Sequence, residues 1–108
     1  ARVSHLPHAL AALLMLLAER GDGLELASTG LLDATRIASG NPHLWEEILL
    51  SNRRQLRTAI GRMINDLTRL SEWLAVGEGD RIRRMLSRAA RSREQWIARK
   101  YEQRDWKH

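Results

Sequence analysis

The sequence predicts an all-α fold: a helical bundle built around a long antiparallel helix hairpin. Three observations point there. Polarity repeats at intervals of three and four residues along the chain, and nowhere at two, so no strand pattern appears. Leu49, Leu56, Met63 and Leu70 recur every seven residues, and Ile60, Leu67 and Leu74 do so four residues further on, the seam of a helix that packs along another long helix. Glycine-rich breaks at Gly21-Asp22-Gly23 and Gly77-Glu78-Gly79 divide the helical stretches.

The first helix is expected over Val3 to Glu19, with Pro7 near its start or kinking it. Apolar residues surround most of its circumference, the pattern of a buried central helix. The run Ala9 to Ala18 is too short to span a bilayer, which takes roughly 20 residues. It is followed by Glu19-Arg20-Gly21-Asp22 where a signal peptide would place small residues. From Leu24 to Gly40 the pattern is less regular. Gly30 is expected to separate a turn at Ala27-Ser28-Thr29 from a short helix around Asp33 to Ala38. Asn41-Pro42 is the clearest helix start, with Asn able to cap free amides, Pro tolerated at the first helical position, and Glu46 and Glu47 in or near the first turn. This helix is expected to run to about Ala75. Asp80 is the expected cap of a last helix, whose apolar stripe is Ile82, Met85, Leu86, Ala89, Trp96 and Ile97.

A helix of thirty-odd residues is about 45–50 Å long. A globule of this size has a radius of gyration near 13 Å, so a second copy of the chain is the simplest cover for the overhang. An interdigitated homodimer is therefore expected.

The 108 residues make one domain at most, residues 1–108, and the missing initiator Met suggests a piece of a longer protein. The absence of cysteine excludes disulfides and thiolate metal sites and fits a cytoplasmic location. Residues 1–77 carry 8 Lys/Arg and 8 Asp/Glu, while residues 78–108 carry 10 and 5, so the whole net charge of +5 lies in the last helix. That basic run lacks a helix-turn-helix companion, zinc-finger spacing or interleaved aromatics; an exposed helical face is expected, with no nucleic acid bound.

Two polar groups stand out. In Ser4-His5-Leu6-Pro7-His8 the histidines lie three apart. They are hydrogen-bonded groups in a core or interface, or a metal pair for which no third ligand follows at a telling spacing, or imidazoles facing a cleft. Arg36 lies among Leu32, Ile37 and Ala38, and either pairs with Asp33 or Glu25 or forks onto a ligand carboxylate. Trp45 is an apolar anchor or a pocket wall. No phosphate loop, serine elbow or paired-carboxylate motif is present, so the chain carries no complete catalytic apparatus.

Taken in order, Ser4-His5-Leu6-Pro7-His8, Ala27-Ser28-Thr29-Gly30, Asp33-Ala34-Thr35-Arg36-Ile37-Ala38, Asn41-Pro42 and Trp45 resemble the C-terminal domain of prephenate/arogenate dehydrogenases over residues 1–100. Leu31 departs from the family, which usually has Phe after the glycine. The resemblance implies a fold like the C-terminal domain of phosphogluconate dehydrogenase. It also implies an enzyme of tyrosine biosynthesis whose Rossmann domain, absent here, binds NAD or NADP and supplies the histidine that activates the substrate hydroxyl. By the same resemblance this domain dimerises and binds prephenate or arogenate for oxidative decarboxylation. Arg36 would grip a carboxylate, His8 the polar groups with Ser4 close by, and Trp45 would line the pocket. His5 matches the motif too and is expected to pack or to support the ligand-contacting residues from behind, and no catalytic, cofactor-binding or metal-binding residue is expected in this chain. The rival to this reading is a helical dimerisation module without substrate.

Overall fold

The computed structural model describes residues 5–20 and 29–107, all of them in helices or the short links between helices. Helix α1 spans Leu6–Arg20, α2 Thr29–Thr35, α3 Pro42–Ser51, α4 Arg53–Val76 and α5 Gly79–Lys107, with a 3-10 turn at Arg36–Ala38. The all-α class follows directly. No described helix is long and apolar enough to cross a membrane. The chain divides into two compact units, Ala1–Ile64 and Asn65–His108, and the boundary falls inside α4.

In the first unit, Pro7 sits in the first turn of α1, where its missing N–H costs nothing, and the His5 carbonyl accepts from the Ala9 amide. At the other end the Arg20 Nε donates to the Leu16 carbonyl, so a cation closes the negative end of the helix. The expected start at Val3 and the Gly21-Asp22-Gly23 stop lie outside the described residues. The expectation of a buried central helix is corrected: within one chain α1 buries just Leu6 and Ala11, and Leu13 and Leu17 are 60% and 61% exposed.

The stretch before Asn41 is also more helical than expected. Helix α2 already includes Thr29 and Gly30, and it ends at Thr35 rather than continuing to Ala38. In its last turn the Thr35 hydroxyl donates to the Leu31 carbonyl at 2.9 Å. Arg36–Ala38 then tighten into the 3-10 turn, which packs against α1.

Helix α3 starts as its sequence requires. Asn41 Oδ1 accepts from the amides of His43 and Leu44 at 3.0 and 3.3 Å, and Pro42 is the first helical residue. Glu46 and Glu47 lie beyond the first turn. The single long helix to Ala75 is corrected to two. At Asn52 the backbone N–H donates to the Leu49 carbonyl and the side-chain Nδ2 to the Ile48 carbonyl, interrupting the ladder for one residue before α4 begins.

The two apolar tracks then differ. Leu56 is buried at 5% exposure, and Leu49, Met63 and Leu70 are half-buried. Leu67 and Leu74, on the second track, are 54% and 64% exposed.

In the second unit, α4 ends as a helix with a left-handed glycine after it should. Gly77 has φ +73°, and the Glu78 amide donates to the Trp73 carbonyl at 2.8 Å. Glu78, not Asp80, opens α5: its carbonyl accepts from the Ile82 amide, while Asp80 sits inside the first turn and accepts from Arg83 Nη2 at 2.7 Å. Of the predicted stripe on α5, Ile82, Met85 and Ile97 are half-buried, and Leu86, Ala89 and Trp96 are exposed.

Candidate functional site

Three elements of the first unit converge on one histidine. Helix α1 supplies His8 in its first turn, the cap at Asn41 fixes the start of α3, and Trp45 follows one turn on, its amide donating to the Asn41 carbonyl at 3.1 Å. The His8 ring lies flat on the Trp45 indole, with centroids 3.7 Å apart and planes 16° from parallel. Most aromatic pairs sit about 4.5–7 Å apart, so this stack is tight. His5 approaches the same indole edge-on at 6.2 Å and 71°. Both histidines are half-buried. A stacked imidazole has one face desolvated and its orientation fixed, while its ring nitrogens stay at the edge, free to meet a polar ligand group. His5 thus meets Trp45 by its edge, whereas His8 meets it by its face.

Gly40 makes the stack possible. A Cβ built there would lie 2.9 Å from Trp45 Nε1, closer than Cβ contacts come, and 3.2 Å from His8 Cε1, a tight contact from which the imidazole would have to give way slightly. Its only trace in the sequence is a glycine just before a cap. Gly40→Ala is expected to force the rings apart at a cost of about 1–3 kcal/mol. The His8 ring-proton shifts, moved by the indole ring current, would relax toward free-histidine values; unchanged shifts would show that the rings absorb the methyl in place.

Arg36 is exposed on the 3-10 turn that packs on α1, the helix carrying His8. It forms no ion pair with Asp33, and no other described residue partners it. Glu25, the other acid considered for it, lies outside the described residues, as does Ser4. His8 and Trp45 are thus brought together, with Arg36 on an element packed against the same helix. Among the described residues no three metal-ligating side chains gather.

Residues 1–88 match the family model for the prephenate dehydrogenase dimerization domain. The chain belongs to that family. It is 33% identical over 86 residues to the cyclohexadienyl dehydrogenase of Zymomonas mobilis, covering 74% of this chain and 29% of that protein. To the prephenate dehydrogenase of Bacillus subtilis it is 35% identical over 86 residues, covering 75% and 20%. The chain therefore spans less than a third of the length of these relatives.

Proposed function

We propose that this prephenate dehydrogenase dimerization-family chain is the dimerising, substrate-binding part of an NAD- or NADP-dependent prephenate or arogenate dehydrogenase of tyrosine biosynthesis. The observation that carries the reading is Arg36: an arginine without an acidic partner among the described residues, on a turn packed against the helix of a preset His8–Trp45 stack. A planar guanidinium offers two parallel N–H donors to a carboxylate, and a ring carboxylate is the group lost in this oxidative decarboxylation. Arg36 binds a substrate carboxylate; His8 meets the remaining polar groups at its ring edge, with Ser4, four residues earlier in the sequence, adding its hydroxyl; Trp45 holds the imidazole and walls the pocket.

These residues do not fit the nicotinamide cofactor. The chain has no Gly-x-Gly-x-x-Gly turn, and no described strand precedes a helix to build one. The proposal gives cofactor binding, and with it activation of the substrate hydroxyl, to a nucleotide-binding domain of the kind the family resemblance implies.

The dimer is proposed between two copies of this chain, through apolar surface that one copy leaves uncovered. The test assays the complete protein with prephenate and with arogenate, each with NAD and NADP, following reduced nicotinamide. Turnover in at least one combination is expected, with none from the isolated 108 residues. A complete protein inert in all four combinations overturns the proposal.

A further inference from the structure

The second unit holds a feature that the proposed substrate site does not use. Residues of α4 and α5 border a cleft of about 620 Å³ whose lining includes Arg69, Arg81, Arg84 and Arg88, against the single carboxylate of Asp66. Of the four guanidiniums, Arg81 alone has an ion pair among the described residues, a loose exposed one to Glu78 at 3.8 Å. The other nearby acid, Asp80, is held at 2.7 Å by Arg83, which does not line the cleft. Arg81, Arg84 and Arg88 are spaced three and four apart on one helix face, so they repel one another. The indole of Trp73, half-buried, forms an apolar wall of the same cleft.

Self-repelling guanidiniums around a concave surface favour a ligand that carries several negative charges close together. One carboxylate can engage one fork, whereas linked phosphates offer acceptor oxygens to several at once. We propose that this cleft binds a clustered phosphate group, a diphosphate or triphosphate, with Trp73 flanking whatever the phosphates are attached to. Two sources share that chemistry, free inorganic pyrophosphate and a nucleoside diphosphate. The site is separate from the His8–Trp45 stack and does not rest on the function proposed for it.

The experiment titrates the complete protein with inorganic pyrophosphate and with ADP by calorimetry at low ionic strength, without divalent metal. Saturable binding of one equivalent per chain is expected. Arg84→Gln combined with Arg88→Gln, both exposed and outside the ion pairs of the described residues, should weaken it about tenfold or more while circular dichroism keeps its helical signature. Arg93→Gln, on α5 but outside the cleft, should leave it unchanged. Trp73→Leu then separates the sources: a loss confined to ADP supports a nucleoside diphosphate, and no selective loss supports the inorganic anion. Absence of saturation with either probe overturns the proposal, as does equal weakening by Arg93→Gln, which would mean diffuse charge. Tighter binding of a 20-nucleotide RNA with no pyrophosphate site would replace it with a nucleic-acid surface. Arg36→Ala should not alter pyrophosphate affinity, so this proposal and the proposed function fail separately.

Discussion

Arg36→Ala in the complete protein is expected, on the proposed function, to raise the Michaelis constant for prephenate or arogenate at least about tenfold, the effect of losing a charge-assisted pair worth roughly 2–4 kcal/mol. The reasoning starts from what Arg36 does not do. It is exposed, unpaired among the described residues, and seated on a tight turn packed against α1. An arginine that closed a salt bridge within the fold would show its loss in stability. One held ready for a ligand should show it in substrate affinity, with thermal stability nearly unchanged. Arg36→Lys sharpens the distinction: an ammonium keeps the charge but loses the second parallel donor, so its Michaelis constant should fall between those of the wild type and the alanine variant. Constants unchanged in both variants would remove Arg36 from the site and leave the His8–Trp45 stack as packing.

The parts of this fold that were legible in the sequence are those set by one residue acting on its near neighbours. Asn41 caps amides two and three residues on, and Gly77 takes the left-handed conformation that ends α4. Both are local chemistry. The break at Asn52 was hidden because Leu49 and Leu56 keep their seven-residue spacing across it. Periodicity records which face is apolar and is blind to one slipped hydrogen bond. The stop of α2 at Thr35 was hidden likewise, because Asp33 to Ala38 reads as one helical run and the change to 3-10 bonding at Arg36 leaves no mark in periodicity.

Of the proposed site, His8, Arg36 and Trp45 stand out by their residue types against apolar surroundings. Gly40 was not, because its role appears only when α1 and the start of α3 approach within van der Waals distance. A contact between elements far apart in sequence leaves no local trace in either.

The same division between local and distant explains the apolar seam, and it yields the second large effect. Leu56 turns inward, with Leu49, Met63 and Leu70 half-covered, whereas Leu67 and Leu74 on the second track stay mostly exposed in one chain. For a protein that functions as a monomer, replacing those two leucines with aspartate would cost little, since each carboxylate would remain in water. For the proposed homodimer the same change buries unpaired charges against apolar side chains, four per dimer, and each such burial is strongly unfavourable. Leu67→Asp with Leu74→Asp is therefore expected to weaken self-association at least about a hundredfold. Sedimentation at micromolar concentration should then give monomer mass while circular dichroism keeps its helical signature. Arg62→Gln, an exposed change on α4 outside both tracks, should remain dimeric. A double-aspartate variant that still sediments as a dimer would move the interface off this track of α4 and onto other exposed apolar surface, such as Leu13 and Leu17 of α1.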